Sequence, residues 1–67
     1  MKILLNNNPE VLTGDAMTVS ELLRHKNFTF KMLVIKINGT LVKKSEYDTA
    51  IIREADVVHV LHLISGG

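Results

Sequence analysis

The sequence contains no cysteine and no tryptophan, and only one tyrosine and one proline in 67 residues. Without thiols there is no disulfide, no thiolate metal site and no cysteine nucleophile, and cysteine usage leaves no mark of a redox compartment. One tyrosine and a few hydroxyls outside any recognisable motif supply no nucleophile, base and orienting residue to argue from. An excess of one charge is missing too: eight Lys and Arg stand against seven Asp and Glu, for a formal net charge of +1. No single-sign field draws in phosphate backbones or anionic lipid, so neither nucleic acid nor a membrane is expected as a partner. The opening Met1-Lys2-Ile3-Leu4-Leu5 run is too short for a signal peptide or a span, and it meets Asn6-Asn7-Asn8 at once. The cytoplasm is the expected location. The spacings that cradle nucleotide phosphates, G-x-x-x-x-G-K-[ST] and G-x-G-x-x-G, are absent, so the chain is not expected to hold ATP by those devices.

What is present is enough to fold. Hydrophobic residues make up 46% of the chain, ordinary for a globular domain and unlike disordered sequences. A chain this short buries about 60% of its unfolded surface and holds one small core. Residues 1–67 are therefore expected to form one domain.

Lys2 to Asn6 has strand character and runs into Asn7-Asn8-Pro9, a cluster of turn formers, with a short returning strand expected near Glu10 to Thr13. Thr18-Val19-Ser20-Glu21 has the T-x-x-E spacing of a capping box, which starts a helix at about Val19. Val19, Leu22 and Leu23 form its apolar stripe and leave Ser20, Glu21 and Arg24 for water. Past the irregular 27–31 stretch, Met32 to Ile37 reads as a strand, Asn38-Gly39 as a type I′ turn and Thr40 to Val42 as the return. Ser45-Glu46-Tyr47-Asp48 predicts a single helical turn. After Asp56, Val57 to Ile64 forms the last strand. This order describes an α+β fold, a mixed sheet of four to five strands with one helix packed on one face.

Alternation assigns the faces. Ile3, Leu5, Leu33, Ile35, Ile37, Val58, Val60 and His62 point to the covered side. Leu4, Val34, Lys36, Val57, His59, Leu61 and Leu63 point to the uncovered one. Leu4, Val34, Leu61 and Leu63 thus make an apolar set without a helix over it. Such a set is either a partner surface or the apolar area every small protein leaves outside. His59 and His62, three apart on a strand, face opposite ways and cannot share an ion, so no metal site is expected. His62 is expected to be partly buried, His59 to be a surface or interface residue, and His25 to favour the helix C-terminal dipole. Phe28 and Phe30 are expected in the core or its rim, and Lys43-Lys44 on a solvated hairpin face.

The sequence ends Ser65-Gly66-Gly67. Glycine has no Cβ and makes a tail thin enough for a narrow channel, whereas a terminal Gly-Gly adds nothing to stability. The alternative is a frayed end. A free carboxylate is a poor acyl donor until it is converted, with ATP, to an acyl-adenylate, which requires a nucleotide-binding partner.

Taken in order, Lys2-Ile3-Leu4-Leu5-Asn6, Thr18-Val19-Ser20-Glu21-Leu22-Leu23, Ile37-Asn38-Gly39-Thr40-Leu41-Val42, Asp56 and Gly66-Gly67 resemble the thiamine-biosynthesis sulfur carriers, ThiS-like members of the β-grasp, ubiquitin-like superfamily. The resemblance covers essentially the whole chain. It implies a β-grasp fold with a flexible Gly-Gly tail, and a carrier rather than an enzyme, with no catalytic residue and no cofactor of its own. In it Gly67 would be adenylated by an E1-like, ThiF-like adenylyltransferase that uses ATP. The resulting thiocarboxylate, its sulfur supplied by a sulfur donor, would serve a ThiG-like thiazole synthase. Gly66 and Ser65 would thread the tail, and Leu4, Val34, His59, Leu61 and Leu63 would form the docking surface. The chain departs from the family pattern in having Glu54-Ala55-Asp56 where Gly-Asp is common, and Ser65 where alanine or glycine is more usual. Three other readings share parts of this pattern: a carrier of the molybdopterin-synthase small-subunit type, a ubiquitin-like modifier joined through Gly67 to a lysine, and a plain interaction domain.

Overall fold

The computed structural model describes residues 1–29 and 32–63. Strand β1 (Lys2–Leu5) buries Ile3 and Leu5 and exposes Lys2 and Leu4, the alternation of a half-covered sheet. Asn6 and Asn7 follow at φ 51° and 70°, conformations that asparagine tolerates. The turn is therefore complete two residues before the expected position, and β2 spans Asn8–Val11 rather than Glu10 to Thr13. Pro9 is admitted because β2 is an edge strand with no ladder bond to lose on its outer side.

Strand β3 (Ala16–Thr18) leads directly into α1 (Val19–His25). The capping box forms as the T-x-x-E spacing predicts: the Glu21 N–H donates to Thr18 Oγ1 at 3.1 Å, and the Thr18 N–H donates to Glu21 Oε1 at 2.9 Å. The two amides that precede Glu21 in the helix are satisfied from outside it, Val19 by the Ala50 carbonyl and Ser20 by the Tyr47 carbonyl. Val19 and Leu22 are buried and Leu23 is half-buried. Ser20 is not left to water: its hydroxyl donates to Asp48.

Strands β4 (Leu33–Ile37) and β5 (Thr40–Val42) form the predicted hairpin, with Asn38 and Gly39 at φ 50° and 83° and Ile37 opposite Thr40. A 3-10 turn at Lys44–Glu46 supplies the single helical turn, capped at Lys43, two residues before the Ser45 cap that the spacing predicts. The Glu46 carboxylate closes it by accepting from the Lys43 N–H at 2.9 Å. Strands β6 (Ile51–Arg53) and β7 (Val57–His62) complete the described chain.

The main sheet has the order β2-β1-β7-β4-β5 and is mixed: β1 and β7 run parallel, and the other neighbours are antiparallel. A second sheet, β3 with β6, was not foreseen from the sequence. It buries Ile52 completely, opposite Met17. Ile3, Leu5, Leu22, Ile35, Ile52 and Val58 form the centre of the core between α1 and the main sheet. Phe28 packs against this core, as expected; β7 ends at His62, with Leu63 already outside the strand expected to run to Ile64, and Phe30 and Ile64 lie outside the described residues. No helix among the described residues is long and apolar enough to cross a membrane.

Candidate docking face and tail

With α1 on one side of the sheet, the other side is uncovered, and strand register says which residues meet there. Leu4 of β1 pairs with Pro9 of β2 and Val57 of β7. His59 of β7 pairs with Lys36 of β4, and Lys36 with Leu41 of β5. Leu61 of β7 pairs with Val34 of β4. The residues Leu4, Val34, His59 and Leu61 are thus brought to one face, as alternation predicts. Leu4 is 41% exposed and Leu61 51% exposed, whereas Val34 and His59 are half-buried beside them. Leu63 is 46% exposed one residue past β7, its N–H donating to the Met32 carbonyl at 3.0 Å.

Two members of this face were not selected from the sequence as docking residues. Leu41 is 55% exposed and adjoins Lys36, and Val57 is half-buried beside Leu4. The signal for Leu41 was available: a two-residue turn at Asn38-Gly39 fixes position 41 opposite 36. Leu41 and Leu63 also border a groove at the β5 edge, with Phe28, Met32 and Tyr47 along its wall.

His62 departs from expectation. It has the inward parity, opposite Leu33, but it is exposed, because it stands at the very end of β7. His59 and His62 lie on opposite faces. His25 is the last residue of α1 and is exposed, and Lys43 and Lys44 are both exposed.

The turn before β7 resolves the question raised by Glu54-Ala55-Asp56. Ala55 adopts φ 69°, the left-handed conformation that glycine takes without strain. Asp56 holds the turn by accepting from the Arg53 N–H at 2.9 Å and from Asn38 Nδ2 at 3.0 Å. Asn38 in turn accepts from the Val57 N–H at 2.8 Å through its side-chain oxygen. The opposite side of β7 is fixed by Asn6, whose carboxamide accepts from the Val60 N–H at 2.8 Å and donates to the Val60 carbonyl at 3.1 Å. Carboxamides thus continue the backbone ladder on both flanks of the strand that precedes the tail. Ser65, Gly66 and Gly67, the expected tail-threading and carrier residues, lie outside the described residues.

The sequence model of the ThiS family matches residues 3–67. No curated protein sequence matches the chain. The crystal structure of the thiamine biosynthesis protein ThiS from Geobacter metallireducens superposes with a TM-score of 0.88 at 23% identity, covering 100% of both chains. The solution structure of a thiamine biosynthesis protein from the same organism gives a TM-score of 0.80 at 23% identity, covering 100% of this chain and 88% of the other. The strand order, the capped helix and the match over residues 3–67 lead to one conclusion: the fold is a β-grasp, and the chain belongs to the ThiS family.

Proposed function

We propose that this protein is a sulfur carrier of thiazole formation in thiamine biosynthesis, that it acts as a single domain over residues 1–67 in the cytoplasm, and that it is not itself an enzyme. The observation that supports this most is the family match, which runs through residue 67 and so includes Ser65-Gly66-Gly67. In this reading the Gly67 carboxylate attacks the α-phosphate of ATP on an E1-like, ThiF-like adenylyltransferase and releases pyrophosphate. A sulfur nucleophile from a sulfur donor then displaces AMP to leave a thiocarboxylate, which a ThiG-like thiazole synthase consumes. ATP belongs to the partner's chemistry. Gly66 and Ser65 leave the path to that site unobstructed by large side chains. The face of Leu4, Val34, His59 and Leu61, with Leu63 beside the tail, seats the partner; its exposed leucines supply apolar area whose burial drives association.

The test is coexpression with the adenylating enzyme, followed by intact mass and labelling with a thiol-directed alkylating probe. The label is needed because oxidation of Met1, Met17 or Met32 adds nearly the mass of an oxygen-to-sulfur exchange. The chain has no cysteine, so a label localised to Gly67 is a thiocarboxylate. No label, with Gly67 found in isopeptide linkage to other proteins, would instead make the chain a modifier.

A further inference from the structure

We infer that the partner seated on the uncovered sheet face presents a carboxylate to Lys36 and His59, inside a contact that is otherwise apolar. The inference rests on the reading above that a protein docks there. Lys36 stands on β4, one strand in from the β5 edge, with His59 on one side and Leu41 on the other, and with Leu61 and Val34 in the neighbouring row. Its side chain is exposed and makes no hydrogen bond or ion pair among the described residues.

Six of the protein's seven Asp and Glu side chains are engaged elsewhere. Of the seven Asp and Glu residues, Glu10 pairs with Lys26, Glu21 caps α1, Glu46 accepts from the Lys43 N–H, Asp48 from Ser20, Glu54 from the Lys2 N–H, and Asp56 from Arg53 and Asn38. Asp15 lies in the connection between β2 and β3. No outward position of the strands is acidic, whereas Lys2, Lys36 and His59 all point outward.

A purely apolar partner would strip water from the Lys36 ammonium and offer nothing in return, a cost that an opposed carboxylate offsets in part. The same ammonium rejects a basic surface, so the face discriminates between partners as well as attracting one. His59 adds an imidazole donor to the same position.

The experiment uses the full chain and the adenylating enzyme of the preceding test, measuring affinity at low and high salt and thiocarboxylate yield at saturating enzyme. The variants are Lys36→Glu, Lys36→Met, which keeps an unbranched apolar stem, and Arg53→Glu as a charge reversal on β6, with thermal unfolding confirming that each folds. Lys36→Glu should weaken binding by about tenfold or more, Lys36→Met by less and with a flatter salt dependence, and Arg53→Glu should bind as the parent does. At saturation Arg53→Glu should give the parent's thiocarboxylate yield. A Lys36→Glu variant that binds as the parent does, or that loses no more than Arg53→Glu, overturns the inference while the sulfur-carrier reading stands. A parent chain that is bound but never adenylated by a competent enzyme overturns that reading instead, and the salt series on the same complex still decides the role of Lys36.

Discussion

Asn38 and Asp56 are joined side chain to side chain, Nδ2 to Oδ1 at 3.0 Å across 18 positions of sequence; Asn38 also accepts from the Val57 N–H beside Asp56, and Asp56 from the Arg53 N–H of its own turn. The β4–β5 turn and the β6–β7 turn are therefore one structural unit. Asp56→Ala removes the partner of both the Arg53 N–H and the Asn38 amide. The expected cost is about 1–3 kcal/mol, read as a fall in Tm of roughly 4–8 °C per kcal/mol for a domain of this size. Asn38→Ala in the Asp56→Ala background should cost less than it does alone. Additive losses in that double-mutant cycle would show that the two turns are independent.

Ala55 carries a conformational cost that glycine would not. At φ 69° an L-residue gives up about 1–2 kcal/mol, of which about 0.4–1 kcal/mol returns as unfolded-chain entropy on replacement by glycine. Ala55→Gly should thus stabilise by up to about 1 kcal/mol. Chemical denaturation settles the sign, and a destabilised variant would show that the turn tolerates alanine without strain.

The capping box makes stability depend on pH. The Thr18 backbone N–H first, and the Thr18 hydroxyl second, hold the Glu21 carboxyl below its ordinary value. A carboxyl depressed on folding contributes stability in full above its unfolded-state value and loses it as pH falls through the folded one. Glu21→Gln keeps a capping geometry without the titration. Urea midpoints of parent and variant should therefore converge in acid and separate toward neutrality, with the parent the more stable. Parallel curves would remove Glu21 from the acid limb.

Core and face separate cleanly in a paired substitution. Leu22→Ala, at a fully buried position, should cost about 2–5 kcal/mol. Leu61→Ala, at a residue 51% exposed, should cost about 1 kcal/mol or less while weakening capture by the adenylating enzyme. Equal stability losses at the two positions would mean that the uncovered face is part of the core.

The small β3–β6 sheet gives the last prediction. Ile52 is fully buried opposite Met17, so Ile52→Ala should be as damaging as Leu22→Ala, about 2–5 kcal/mol. A loss below 1 kcal/mol in equilibrium unfolding would show that this two-stranded sheet is ornamental to the fold.

Much of the architecture was legible because its signals are local. Thr18 and Glu21 announce a helix start by their spacing, Asn38-Gly39 announces a turn by its positive φ, and alternation in β1, β4 and β7 places Leu4, Val34, His59 and Leu61 together. The β3–β6 pairing was not legible, because three-residue strands carry almost no periodic signal and Ile51-Ile52 reads only as a reason not to extend the preceding helical turn. The sequence places β2 two residues late because Pro9 reads as part of the turn, whereas an edge strand accepts proline without losing a bond. His62 was misplaced because parity says which face a residue points to, not whether the helix reaches far enough to cover it. Alternation puts Lys36 on the uncovered side; only the registers on either side of it show that it lies between His59 and Leu41.

The placement of β7 between β1 and β4 has a mechanical consequence. A pull along β7 from its His62 end works against a parallel neighbour on one flank and an antiparallel neighbour on the other. The ladder bonds on both flanks, with the Asn6 and Asn38 carboxamides at their ends, are then loaded in shear together instead of opening one after another. Under the proposed function, an enzyme that gripped the C-terminus would therefore haul on the whole domain as one body, without unravelling β7.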